Sequence, residues 1–183
     1  QGTPQVQPVT ISPAGQKVPV TVTLSTATAD ATIRYTTDGS TPTASSTSYT
    51  GPLTVETPST LTAQAFLSGW EDSPVSAETY TWNPTVITPD SSAVPVAVAI
   101  TNATPNAVIY YTTDGSTPTT SSTRYDGPLK LTSAQTITAR AFVTGADPGD
   151  VVSASFTTPT VRYVSPSGND GNSGTSWGSA WQN

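Results

Sequence analysis

Tyr35-Thr36-Thr37-Asp38-Gly39-Ser40-Thr41-Pro42-Thr43 occurs twice in this chain, returning unchanged 76 residues later as Tyr111-Thr112-Thr113-Asp114-Gly115-Ser116-Thr117-Pro118-Thr119. Working outward at the same offset, Tyr49-x-Gly51-Pro52-Leu53 is matched by Tyr125-x-Gly127-Pro128-Leu129, and Thr62-Ala63-x-Ala65-Phe66 by Thr138-Ala139-x-Ala141-Phe142. Between Val18 and Gly69, 30 of 52 paired positions are identical without a gap, and Pro8, Ile11 and Pro13 map onto Pro84, Ile87 and Pro89. Self-similarity at a fixed period marks a repeated structural unit. The units run over residues 8–83 and 84–159, between an N-terminal extension (1–7) and a C-terminal segment (160–183).

Each unit reads as strands. Val18, Val20, Val22 and Leu24 alternate with Pro19, Thr21 and Thr23, and Val94, Val96, Val98 and Ile100 repeat that apolar face; a period of two is the mark of a strand half-buried on one side. Ile33 with Tyr35, then Leu61 with Ala63 and Ala65, make the next strands, answered by Ile109 with Tyr111 and by Ile137 with Ala139 and Ala141. A last strand covers about Val75 to Trp82, its partner Val151 to Thr157. No window has helical i, i+3, i+4, i+7 spacing, and 17 prolines with 13 glycines punctuate every short segment, which disfavours helix. The expected architecture is all-β: two tandem immunoglobulin-like antiparallel β-sandwiches with extended terminal segments. In the Asp-Gly turns, Asp38 and Asp114 are placed to accept from nearby backbone amides while the glycines take positive φ.

The run Tyr-Thr-Thr-Asp-Gly-Ser-Thr-Pro-Thr, then Tyr-x-Gly-Pro-Leu, then Thr-Ala-x-Ala-Phe, resembles the chitobiase/β-hexosaminidase C-terminal domain family, across residues 8–159. The resemblance implies an immunoglobulin-like accessory module of extracellular polysaccharide-processing enzymes and bacterial surface proteins. It implies no activity and carries no catalytic residue to any position here. Beyond it, Val161-Arg162-Tyr163-Val164 is a short strand candidate, followed by Ser165-Pro166-Ser167-Gly168-Asn169-Asp170-Gly171-Asn172 and then Trp177 and Trp181. This tail resembles the opening of a pectate-lyase-like right-handed β-helix domain. On a second reading, Pro159-Thr160-Val161 echoes Pro84-Thr85-Val86 and supplies a strand with no domain of its own to join.

Composition excludes most chemistry. The chain has 183 residues and no cysteine, histidine or methionine. Thiol and serine–histidine–acid nucleophiles, thiolate zinc sites and disulfides are therefore impossible. Charged residues are 10% of the chain, against about 25% in ordinary soluble domains; serine and threonine, 60 of the 183 residues, fill the gap. Six scattered basic residues against a net charge of −6 make no phosphate-tracking stripe, so nucleic acid is not an expected partner. No apolar run reaches the roughly 20 residues of a membrane span. A chain opening on Gln1 is expected to have lost an N-terminal segment such as a signal peptide, and a threonine-rich, cysteine-free β sequence points to the outside of a cell.

Candidate sites follow from the residues left over. Trp70 and Trp82, with Tyr49 and Tyr125, are weighed as sugar contacts against packing in a core or between units. Asn102-Ala103-Thr104 is a glycosylation sequon, absent from the first unit. Calcium would need converging oxygen ligands; Glu71 and Asp72, Asp147 and Asp150, and Asn169, Asp170 and Asn172 offer oxygens, but none has the spacing of a dedicated loop, and solvated turns account for them. The acidic residues sit in turns, with nothing to set one carboxyl's pKa apart from another's as glycoside hydrolysis requires. Lys17 and Lys130 do not occupy equivalent positions, which argues against a stiffening isopeptide bond in each module. Val161, Tyr163, Val164, Trp177 and Trp181 form a candidate assembly strand, able to lie on the edge of another sheet, and the segment from Gly2 to Gln7 is expected to reach outward likewise.

The function expected is that of a non-catalytic extracellular structural protein, a spacer or fibre-forming subunit that joins head to tail by strand addition. Its partners are copies of itself or adjacent domains of a longer chain. The alternative is an accessory carbohydrate-binding or stalk region of a secreted polysaccharide-degrading enzyme or adhesin. No cofactor is expected.

Overall fold

The structure, a computed structural model, describes residues 2–160. The candidate assembly strand of Val161, Tyr163, Val164, Trp177 and Trp181 lies outside the described residues, as do Asn169, Asp170 and Asn172.

The chain folds as two tandem antiparallel β-sandwiches. In the first module, β1 (Thr10–Ser12), β2 (Val20–Ser25) and β5 (Leu53–Val55) form one sheet in the order β1-β2-β5. The facing sheet runs β4-β3-β6-β7, from β3 (Thr32–Thr36), β4 (Thr47–Ser48), β6 (Ser59–Phe66) and β7 (Ser76–Tyr80). The second module repeats this with β8 (Val86–Thr88), β10 (Val96–Thr101) and β13 (Leu129–Leu131) in one sheet. Its larger sheet is β12-β11-β14-β15-β9, from β9 (Ser91–Ala93), β11 (Val108–Thr112), β12 (Thr123–Arg124), β14 (Gln135–Phe142) and β15 (Val152–Thr157). Strand β9 runs parallel to β15. In the first module the same place holds a single parallel bridge, Lys17 to Thr81, with Val18 N donating to Thr81 O at 3.1 Å.

Strand alternation makes the cores. On β2, Val22 and Leu24 face inward and are buried while Thr21, Thr23 and Ser25 are exposed. Leu61, Ala63 and Ala65 on β6 are fully buried, and the register sets the small Ala63 and Ala65 opposite the larger Tyr35 and Ile33. Ile137, Ala139 and Ala141 repeat the arrangement against Tyr111 and Ile109. Each fully buried Val or Leu contributes about 1.5–3 kcal/mol; with twelve buried residues in the first core and nine in the second, several of them alanine, each core is modest and depends on tight packing. Tyr49 and Tyr125 belong to these cores, with Tyr125 Oη accepting from Ile100 N at 3.0 Å.

The Asp-Gly turns form as the sequence predicts. Asp38 Oδ1 accepts from Ser40 N at 3.0 Å and Ser40 Oγ at 2.6 Å, and Gly39 takes φ 78°. Asp114, Ser116 and Gly115 repeat the geometry.

Two expectations are corrected. The segment from Gly2 to Gln7 does not reach outward: Val6 is 1% exposed in the first core, and Val6 N donates to Glu71 O at 2.9 Å while Glu71 N donates to Pro4 O at 2.9 Å. Gln7 N adds a bond to Thr28 Oγ1 at 2.8 Å. A buried valine and paired amides hold the segment on its own module. The last strand of the first module also ends earlier than predicted, at Tyr80, because Thr81 pairs with Lys17 and Trp82 turns toward the second module.

Candidate functional site

Two places concentrate side chains that the cores do not use: the joint between the modules and the outer faces of the larger sheets.

The joint is built from β7 onward. Thr81 is held by its parallel bridge to Lys17, and Lys17 Nζ donates to Trp82 O at 2.8 Å. The half-buried Trp82 ring then crosses to the second module, where Nε1 donates to Asp147 O at 3.1 Å. The ring lies against Gly149, where a Cβ would be 3.3 Å from Trp82 Cδ2. Asn83 is tied to both sides: its backbone N donates to Thr104 Oγ1 at 3.0 Å, and its Nδ2 donates to Val18 O. Beside the joint is an open groove of about 630 Å³, lined among others by Asp38, Thr60, Thr79, Trp82, Asp147 and Pro148.

The sequon belongs to this joint. Asn102 Nδ2 donates to Asn83 O at 2.9 Å and to Thr85 Oγ1 at 3.0 Å, while Asn102 Oδ1 accepts from Thr104 N at 2.8 Å. Thr104 is buried. A glycan on Asn102 would have to open these bonds. The first-module counterpart, Thr26, does the same work with a hydroxyl, donating to Gln7 O at 2.9 Å.

Trp70 stands elsewhere, 41% exposed at the rim of a groove of about 450 Å³ lined by Thr32, Arg34, Phe66, Ser68 and Asp72. Arg34 Nη1 donates to Ser46 O at 3.0 Å, which fixes the guanidinium along the groove. The structure thus separates the two tryptophans: Trp70 sits on an outer face and Trp82 in the joint. The second module has no tryptophan at the position of Trp70, where Ala146 stands, but it carries a different aromatic group on the same face. Tyr110 and Phe142 meet edge to face with centroids 5.5 Å apart, and the Arg140 guanidinium lies 5.7 Å from the Phe142 centroid. Sequence reading missed this group because comparing the repeats sets Tyr110 against Arg34 and Arg140 against Gln64. The available signal was alternation: with Tyr111 inward, Tyr110 must face out.

Among the described residues the carboxylates of the Asp-Gly turns are held by serines rather than by one another. The Ser40 hydroxyl and then its backbone amide hold the Asp38 carboxyl below its usual value, and Ser116 does the same for Asp114. A carboxyl kept ionised in this way cannot serve as a general acid near neutral pH. Among the described residues no three acidic side chains converge as a metal site would require; Glu71 and Asp147 contribute backbone carbonyls to the module ends instead.

The family described as the chitobiase/beta-hexosaminidase C-terminal domain matches the chain twice, over residues 12–78 and 88–153. No curated protein matches it. Among solved structures, it is similar to fibronectin(III)-like modules of Clostridium thermocellum CbhA, at 16% identity and a TM-score of 0.28, covering 82% of this chain and 93% of that one. It is also similar to domains 7, 8 and 9 of the S-layer protein SbsC (8% identity, TM-score 0.26, 86% of this chain and 64% of that one). A third is Drosophila N-cadherin EC1-3 (12% identity, TM-score 0.27, 85% and 64%).

Proposed function

Because the chain belongs to the chitobiase/β-hexosaminidase C-terminal domain family, in two copies, we propose that it is a non-catalytic extracellular spacer whose two sandwiches are held as a stiff pair. The joint carries this reading. A linker left to swing would be rich in glycine and serine and would make few contacts. Here the connecting residues Trp82 and Asn83 bond to Val18 and Lys17 on one side and to Asp147 and Thr104 on the other. The threonine-rich, cysteine-free surface suits a secreted protein, and no helix of the described residues is long and apolar enough to cross a membrane.

The chain has no cysteine of its own, so a pair of engineered cysteines, one on each module, reports their separation by spin-label distance measurement. A single narrow distance is expected, broadened by Trp82→Ala. A broad distribution in the unaltered chain would remove the spacer role.

The partners proposed are adjacent domains of a longer chain or further copies, reached by strand addition of Val161, Tyr163 and Val164 with Trp177 and Trp181. The way Trp82 and Asn83 carry β7 directly into the next module supports a similar continuation from β15. Electron microscopy of the concentrated protein tests it: filaments are expected, and dispersed particles at every concentration would leave only the spacer.

A second reading, accessory binding of polysaccharide, is favoured by the exposed Trp70 beside Arg34 and Asp72. Retention on an insoluble polysaccharide, lost in Trp70→Ala, is its test.

A further inference from the structure

We propose that the outer faces of the larger sheets form a duplicated binding site for a polysaccharide bearing carboxylates. The site is anchored by Arg34 and Trp70 in the first module and by Arg140, Tyr110 and Phe142 in the second. It rests on the polysaccharide reading and names both the ligand's charge and a second subsite.

The placement of arginine carries the argument. The described residues include three arginines, and each lies on β3, β12 or β14 of these sheets; the two lysines lie elsewhere, Lys130 on β13 of the opposite sheet and Lys17 in the joint. In a chain of net charge −6 this is not a share of a generally basic surface. Register puts the residues side by side. Tyr110 pairs with Arg124 on one flank and Arg140 on the other, and Val108 pairs with Phe142. Since Ile109 and Tyr111 pack on the core, Val108, Tyr110 and Thr112 face away from it. The first module sets Arg34 between Ser48 and Gln64, and Thr32 opposite Phe66.

The guanidinium groups differ in what they have left to give. Arg140 Nε donates to Gly149 O at 2.7 Å, which leaves its two Nη groups without a partner among the described residues. Arg34 spends one Nη hydrogen bond on Ser46. Arg124 is paired with Asp126 at 3.1 Å with both side chains well exposed, a contact of little strength. Asp72 shares the groove of Arg34, so Arg140 is the strongest anchor.

A planar guanidinium pairs with a carboxylate through two parallel hydrogen bonds. A sugar ring also offers an apolar C–H face that packs on an exposed indole or phenol ring, while its hydroxyls bond to groups such as those of Thr32 and Ser68. The first face sets Arg34, the exposed Trp70 and the hydroxyls of Thr32 and Ser68 around one groove; the second sets Arg140 beside the half-buried rings of Tyr110 and Phe142. A protein partner is less well matched, because among the described residues the exposed large apolar side chains are Trp70, Val75, Val86 and Val151 alone, few beside the broad apolar patches such contacts favour. The overall negative charge is no barrier at physiological salt, where charges more than about 8 Å away are largely screened.

Affinity electrophoresis or calorimetry of the folded chain, with polygalacturonate and with neutral dextran at about 0.15 M salt, tests the proposal. Polygalacturonate is expected to bind and dextran much more weakly. Arg140→Gln and Trp70→Ala should each weaken binding about tenfold, as loss of one charge-assisted contact does. Lys130→Gln, which removes the same charge from the other sheet, should leave binding unchanged. Circular dichroism and thermal unfolding of each variant separate loss of a contact from loss of fold. The proposal fails if polygalacturonate does not bind. It fails also if Lys130→Gln weakens binding as much as Arg140→Gln does, since attraction is then non-specific. Equal binding of dextran would overturn the charge assignment while leaving the Trp70 reading standing. Self-association abolished by Arg140→Gln would give the face to a second copy of the chain and overturn the proposal.

Discussion

Trp82 takes in the second module the place that Val6 takes in the first. The two lie 76 residues apart, the period of the repeat, and each closes its module against the same loop. Val6 does so with its backbone, bonded to Glu71. Trp82 does so with its indole, bonded to Asp147, the residue equivalent to Glu71. The difference has a simple cause. The backbone before Val6 is at liberty to pair with the loop, whereas Thr81 is already paired with Lys17 and the side chain must reach across. One residue therefore ends one module and seals the next.

Trp82→Ala removes that seal. The lost hydrogen bond and half-buried ring together are expected to cost about 1–2 kcal/mol, read as a lower unfolding midpoint of the second module. Gly149→Ala attacks the same contact from the other side: its Cβ would fall 3.3 Å from Trp82 Cδ2 and 3.4 Å from the Ala141 carbonyl oxygen. The carbonyl cannot yield as a flexible side chain would, so a smaller loss in the same direction is expected. If both variants unfold as the unaltered chain does, the ring does not couple the modules.

Val6→Ala, or deletion of residues 1–7, should destabilise the first module alone. Truncating a buried valine costs about 1–2 kcal/mol, and deletion also strips the pairs to Glu71 and Thr28. Amide hydrogen exchange resolved by segment checks this: faster exchange is expected in β6 and β7, with β14 and β15 unchanged. An unchanged first module would return the segment to the status of a loose extension.

How far this structure was legible in the sequence depends on element length. Val20, Val22 and Leu24 on β2 give enough positions for a period of two to show, and the 76-residue offset carries every such element into the second module. Strands β4 and β12 have two residues each and β1 and β5 three, too few to display any period, so they went unread. Val6 was missed because a lone valine among polar residues has no pattern; extending the repeat two residues upstream would have set it against Trp82. The Tyr110, Arg140 and Phe142 group was hidden for a different reason. Identity between repeats finds what both modules share, as it does Phe66 and Phe142, whereas Tyr110 and Arg140 stand where the modules differ.

The Asp-Gly turns should make stability depend on acid. Ser40 and Ser116, through hydroxyl and then amide, lower the carboxyl pKa of Asp38 and Asp114 from the usual 3.8. A depressed folded-state pKa contributes stability that is present above the unfolded value and is lost as pH falls through the lowered one. Asn at both positions keeps an oxygen to accept the bonds but has no charge to lose. The thermal midpoint of the unaltered chain should exceed that of Asp38→Asn/Asp114→Asn near pH 6, and the gap should narrow progressively as the pH falls below the usual carboxyl value of 3.8. A gap constant across that range would mean that the charge contributes nothing.

Tyr80 and Phe156 hold equivalent places in the two cores, 1% and 2% exposed, and differ by one hydroxyl. Tyr80 Oη donates to Pro13 O at 2.8 Å. Because Phe156 fills the same position, Tyr80→Phe opens no cavity. Pro13 is exposed, so water can take up its carbonyl, and a cost of about 1 kcal/mol or less is expected. The alkaline limb is more telling. Burial, and secondarily the charge of Glu78, raise the Tyr80 pKa from its usual 10.0. A raised folded-state pKa contributes stability that is complete below the unfolded value and is lost as pH rises through the raised one. Thermal unfolding between about pH 8 and pH 11 should therefore show a decline in the unaltered chain that is shallower in Tyr80→Phe. Equal declines would place the alkaline sensitivity in some other group and leave the Tyr80 hydroxyl with its hydrogen bond alone.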